Sequence, residues 1–195
     1  MGHFAALPHE GFQPTQHEFV PGLGIVETRP LSLADWDAYR AFGQRIERDD
    51  LRLRFAGPVK LDDSRCRRLL DVDHDHEEAF GAFDQTGALL GVGRVAGVEA
   101  GEAEIALIVR SDLKRRGIGT VLLARILRYA DQVGIRALRA DVLYENRPML
   151  HLAQRAGFRF ASDGGLMLSL RRELQGSPTG MVPVDARSAS SSRAS

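Results

Sequence analysis

A chain of 195 residues is long enough to fold as one domain around a sizeable core. Its 26 basic and 26 acidic residues cancel, leaving no global field to recruit nucleic acid or an acidic membrane surface. The single cysteine, Cys66, excludes an internal disulfide and reads as a small partly buried hydrophobe; with no membrane-length apolar run and no signal-peptide core, a cytosolic protein is expected.

Residues 1–23 contain Pro and Gly without sustained periodicity and are expected to be an irregular arm. Residues 25–29 suggest a strand, and Ser32 is placed to cap a helix running to about Arg48. Asp62 or Asp63 caps a second short helix that ends near Leu70. Residues 79–84, a Gln85-Thr86-Gly87 turn and residues 89–98 form a hairpin pattern, followed by an antiparallel strand over 102–109. Residues 117–133 then place Ile118, Leu122, Ile126, Tyr129, Ala130 and Val133 on one helical stripe, with Gly134 as its stop. A strand at 137–143, a helix at 147–156 and a closing hairpin at 158–161 and 166–170 complete the order. Together they predict an α/β (α+β) fold: a central mixed, mostly antiparallel sheet flanked by helices, spanning 24–172. The Ser-, Gly-, Pro- and Ala-rich end, 173–195, cannot bury enough apolar surface to order itself.

The most informative stretch is 109–122. A largely apolar strand runs into a short basic loop, and two glycines open the long amphipathic helix. Successive backbone N–H groups at a helix N-terminus favour an anion. Lys114, Arg115 and Arg116 add positive charge, while Gly117 and Gly119 let a diphosphate approach the backbone. A P-loop would need Gly-Lys-Ser/Thr here, but Gly119 is followed by Thr120 and Val121. A dinucleotide fingerprint would need a small third residue where Leu122 stands.

The segment from Glu104 to Phe158 resembles the GNAT superfamily of acyl-CoA-dependent N-acyltransferases. Their loop reads Gln/Arg-x-x-Gly-x-Gly/Ala, and here it is Lys114-Arg115-Arg116-Gly117-Ile118-Gly119. Asn146 and Gly157-Phe158 fit the spacing of the downstream asparagine and Gly-Phe. Segments 51–58, 71–73 and 144–150 further resemble the Pat-type bacterial protein lysine acetyltransferases. The resemblance implies a GNAT fold, acetyl-CoA as co-substrate and no metal. It also implies direct transfer to a protein lysine, with AMP-forming acyl-CoA synthetases as targets. Backbone N–H groups from Arg115, Arg116, Gly117, Ile118, Gly119 and Thr120 are expected to hold the diphosphate. Ile108 and Val109 are expected to pair with the pantetheine arm as an added strand. Asn146 is expected to contact that arm while capping the next helix.

Amide formation from a thioester requires a neutral amine, and a free lysine has a pKa of about 10.4. A carboxylate facing the thioester could take the proton. Glu104 is the candidate base, with burial expected to lift its pKa. Glu102 shares its face by period two and is the weaker alternative. The tyrosine that many relatives place seven residues after the asparagine is Ala153 here, and Tyr144 precedes Asn146, so no general acid is assigned.

Residues 71–78 lack the glycine and glutamate spacing of a calcium loop, and His74 and His76 have no second ligand pair for zinc. A solvated acidic turn near the acceptor entrance is expected, with Asp73 and Asp75 selecting a basic surface. Arg52 and Arg54 alternate with apolar residues and read first as two solvated arginines on a short amphipathic segment, with a partner-docking surface as the alternative. Two alternatives stay open: acetylation of a small amine, which a closed acidic pocket would favour over an open groove, and a catalytically silent acyl-CoA-binding module.

Overall fold

The computed structural model describes residues 13–74, 76–97 and 101–174. An eight-stranded sheet organises them, in the order β1-β2-β3-β4-β5-β6-β8-β7. Its strands are β1 (Gln16–Val20), β2 (Gly24–Pro30), β3 (Glu77–Phe83), β4 (Leu89–Gly97), β5 (Glu102–Val109), β6 (Ala137–Leu143), β7 (Arg159–Ser162) and β8 (Met167–Glu173). Neighbours run antiparallel except β5 and β6, which are parallel. The helices are α1 (Trp36–Gly43), α2 (Arg48–Phe55), α3 (Asp63–Leu70), α4 (Ile118–Gln132) and α5 (Arg147–Arg155).

Alternation on the strands decides what each face meets. Ala103 and Ile105 of β5 join α4 residues Leu123, Ile126 and Tyr129 in one core cluster. Ala79 of β3, Val92 of β4 and Ile108 of β5 point the other way, to Tyr39, Phe42, Leu51 and Leu70 of α1, α2 and α3. Helix α4 lies close because β4 presents glycines: a Cβ on Gly93 would stand 2.9 Å from the Ile126 Cδ1, and one on Gly91 2.9 Å from the Leu122 Cδ1. The predicted α4 stripe is the buried one, with Ile118, Leu122, Ile126, Tyr129 and Ala130 inside. Gly134 stops the helix at φ +76°. Asp62 caps α3 by accepting the Arg65 N–H at 2.8 Å.

Four expectations are corrected. Within the supposed irregular arm, Gln16–Val20 forms β1, because β2 supplies it with a complete antiparallel partner. Residues 1–12 lie outside the described residues. The helix expected from Ser32 to Arg48 is a 3-10 turn plus α1, ending at Gly43, and a separate helix, α2, begins at Arg48. The acidic 71–78 segment is only partly a solvated turn. Asp73 Oδ2 accepts from His76 Nδ1 at 2.7 Å, but Glu78 is 1% exposed on the inner face of β3, held by the Ala79 N–H and His74. Asp75 lies outside the described residues. At the far end β8 extends to Glu173; the tail from 175 to 195 also lies outside them.

Among the described residues no helix is long and apolar enough to cross a membrane.

Candidate active site

The loop between β5 and α4 adopts the backbone its glycines predict. Gly117 has φ +92°, and Arg115, without that freedom, is also left-handed at φ +61°. Left-handed residues set between ordinary ones turn successive N–H groups toward a common point, a concavity suited to an anion. The N–H groups of Arg115, Arg116, Gly117, Ile118 and Gly119 have no hydrogen-bond partner among the described residues. Thr120 departs from expectation: its N–H turns back to the Gly117 carbonyl at 2.9 Å, which closes the first turn of α4. A diphosphate fits this donor set, since the free N–H groups stand at the positive end of a 15-residue helix. A side chain at 119 would fill the space, its Cβ lying 3.3 Å from Leu152 Cδ2 of α5.

Lys114 is not free for an anion. Its Nζ stands 2.5 Å from Asp50 Oδ1, and the other Asp50 oxygen accepts the Ser111 hydroxyl at 2.5 Å. Ser111 Oγ in turn accepts the Glu47 N–H at 2.8 Å. The start of α2 is thereby tied to the loop. Arg52 crosses to Glu145, beside Asn146, and ties the same helix to the opposite wall.

Between these ties lies a cleft of about 490 Å³. Ile108, Val109, Lys114, Arg115, Gly117, Ile118, Gly119, Thr120 and Asn146 line it, together with Asp50 and Arg54 from α2. Arg116 is exposed and stands off its wall. The cleft opens because β5 and β6 pair only at Glu102, Ala103 and Glu104, opposite Ala137, Leu138 and Arg139. Beyond Glu104 the two strands separate. The Arg110 N–H bonds to Leu90 of β4, so strict alternation turns the backbone polar groups of Leu107 and Val109 away from β4, into the gap, and those of Ile108 toward β4. Of the two residues expected to present backbone, Val109 does so; Ile108 contributes its place on the wall while Leu107 takes over the backbone role. Asn146 caps α5 through Oδ1, which accepts the Met149 N–H at 3.2 Å, and the residue lines the cleft.

Glu104 occupies the last paired position before the strands part. Its side chain is exposed, so the expected partial burial is not observed. No hydrogen bond or ion pair engages it among the described residues. Glu102, on the same face, is bound by Arg171 and lies 3.3 Å from Arg139. The hydrogen bond from Arg171 holds its carboxyl below the usual carboxylate range. Geometry therefore separates two glutamates that periodicity could not.

A family model described as Acetyltransferase (GNAT) family matches residues 36–158. The chain belongs to the GNAT acetyltransferase family. It is similar to a mycothiol acetyltransferase of Geodermatophilus obscurus, 40% identical over 91 residues, covering 46% of this chain but 28% of that protein. The chain thus spans well under half the length of that relative. Among solved structures, the GNAT domain of S. lividans PAT superposes with a TM-score of 0.75 at 23% identity, over 82% of this chain and 97% of that one. A spermidine N-acetyltransferase from Vibrio cholerae, solved with CoA and spermine, gives 0.61 at 18% identity, over 75% and 92%. These likenesses establish the GNAT fold, with the mixed, mostly antiparallel sheet expected of it.

Within the GNAT frame, Ala153 is fully buried in the core and carries no polar group to the cleft. Tyr144 is 54% exposed beneath the Arg147 guanidinium, 4.2 Å from its ring centroid, and does not line the cleft. Sequence reasoning missed Asp50 and His151, both of which line it. Asp50 sits in a charged run indistinguishable from a solvated face until the fold sets Lys114 beside it. Arg54, expected to be a solvated arginine or part of a partner surface, is instead a wall of the cleft.

Proposed function

We propose that this GNAT chain is an acetyl-CoA-dependent N-acetyltransferase that modifies a lysine side chain of a protein, with AMP-forming acyl-CoA synthetases as the target class. The observation that carries the reading is the unengaged Glu104 carboxylate at the point where β5 and β6 part.

The anchor is the loop, whose free N–H groups meet the diphosphate. Leu107 and Val109 offer backbone to an extended pantetheine arm, as an edge strand does. An N–H of that edge polarises the thioester carbonyl. Glu104 takes a proton from the acceptor ammonium, directly or through water, and the freed nitrogen attacks the carbonyl carbon. The new C–N bond forms as the C–S bond breaks, and the thiolate is protonated from water. Cys66 is buried in the core beneath α1 and α3, away from the cleft lining, and transfer is direct, within a ternary complex. The outer face of β6, β8 and β7 supports a protein acceptor. Glu104, Arg139, Asp141, Ser169 and Arg171 floor a depression of about 530 Å³ there.

The test is CoA-thiol release with acetyl-CoA and a purified AMP-forming synthetase, comparing wild type with Glu104→Gln. Site-specific lysine acetylation should fall about 100- to 10,000-fold in the variant while acetyl-CoA affinity is kept. Acetyl-CoA binding without protein acetylation would move the acceptor to the small amines.

A further inference from the structure

Arg94 is a largely buried arginine outside the loop. It stands on β4, opposite Ala106 of β5, on the sheet face that carries Glu104. The register sets Glu77, Ala96 and Glu104 in one row across β3, β4 and β5, with Arg94 one same-face step away, about 6.6 Å along the strand. Its side chain is 11% exposed, and Nη1 bonds Glu77 Oε2 at 2.6 Å. Its other two nitrogens, Nε and Nη2, are buried and have no hydrogen-bond partner among the described residues. An orphaned buried donor is costly to keep unless something else meets it.

A second guanidinium is carried by α2, which packs against β5, the strand of Glu104. Arg54, from α2, lines the cofactor cleft and makes no hydrogen bond or ion pair among the described residues. Burial, and next the positive charge of Arg94, push its pKa below the ordinary arginine value, while Tyr39 and Glu104 act in the opposite sense. Two guanidiniums with unused donors therefore sit beside a free carboxylate. One end of this arrangement suits an ammonium; the other suits an anion, which planar guanidinium groups bind through paired N–H donors.

We propose that the acceptor amine of this enzyme is accompanied by a carboxylate, and that Arg94 and Arg54 bind that carboxylate while Glu104 faces the amine. The inference rests on the N-acetylation reading and names the class of its acceptor. The carboxylate belongs either to an amino-acid-like molecule or to an acidic residue flanking a lysine on a protein.

The experiment compares kcat/KM for Nα-acetyl-lysine and for its C-terminal amide, which differ only in the carboxylate. A parallel pair of lysine peptides carries Asp or Asn beside the lysine. Wild type should favour the acid over the neutral partner at least tenfold, expressed in KM. The free pair responds if the acceptor is small, and the peptide pair if it is a protein. In Arg94→Gln that ratio should collapse toward one. Arg94→Lys, which keeps the charge and the Glu77 pair, should fold and lose most of it. Equal use of both partners by wild type, or a ratio preserved in both variants, overturns the proposal. If nothing is acetylated although acetyl-CoA binds, the N-acetylation reading fails. Calorimetric binding of the same acid and amide to the CoA complex then decides the carboxylate site: equal affinities overturn it, and a tenfold preference lost in Arg94→Lys upholds it.

Discussion

Gly119 shows how much of this site is backbone. Its missing side chain leaves room between α4 and α5, where a Cβ would already stand 3.3 Å from Leu152. Gly119→Val should raise the acetyl-CoA Kd at least tenfold with the helical circular dichroism intact, and an unchanged Kd would remove the diphosphate from the loop. Asp35 is instructive for stability. It is 8% exposed, accepts two Arg29 donors at 2.6 and 2.9 Å and accepts the Ser32 N–H at 3.0 Å. Burial pushes its carboxyl up, but Arg29 and the Ser32 N–H outweigh that and hold it below its ordinary value. A depressed folded pKa adds stability above the unfolded value, near 3.9, and the contribution is lost as pH falls through the folded one. Asp35→Asn should therefore cost about 1–3 kcal/mol at pH 7 in urea unfolding. The difference from wild type should shrink as pH falls below about 4. The choice between Glu102 and Glu104 was not legible at this scale. Alternation puts both on one face, and only Arg139 and Arg171, brought in by β6 and β8, take Glu102 out of play.

Among the elements, α4 and α2 mark the two ends of legibility. Helix α4 announces itself through a long apolar stripe, a glycine start and a glycine stop. Helix α2 reads Leu51-Arg52-Leu53-Arg54-Phe55, a period of two that mimics a strand. It is helical because Leu51 is buried among α1 and α3 residues, because Asp49 and Asp50 suit its N-terminus, and because both walls of the cleft hold it. β1 was hidden for a related reason: five residues beside Pro and Gly carry little pattern of their own, and pairing with β2 makes the strand. The Asp50–Lys114 tie leads to a prediction about α2. Asp50→Asn removes a carboxylate from the edge of an anion site and releases Lys114. Acetyl-CoA affinity should tighten about two- to fivefold at low salt, the scale of one exposed ion pair, and the gain should fade as salt rises. Weaker binding would instead mean that the tie presets the loop.

Over the whole molecule, the sheet has one seam. Antiparallel ladders join β1 through β5 and likewise β6, β8 and β7, but only three residue pairs join β5 to β6. Helix α4 and its core cluster bridge the two halves from one side. A ligand whose extended arm bonds into the gap completes the ladder. Acetyl-CoA at a hundredfold its Kd adds about 2.7 kcal/mol, which for a chain of this size should raise Tm by roughly 5–11 °C. Amide exchange should slow most at Leu107 and Val109, and protection confined to the loop would contradict the added-strand geometry. The sequence reveals both strands and the loop between them. That they part after Glu104 is a matter of tertiary pairing, which no local pattern encodes.

That seam has a meaning for the life of the molecule. A sheet whose two halves share only three residue pairs opens most readily there, and opened strands are what proteases cut. Acetyl-CoA bound across the gap should therefore slow cleavage by an added protease in proportion to its occupancy.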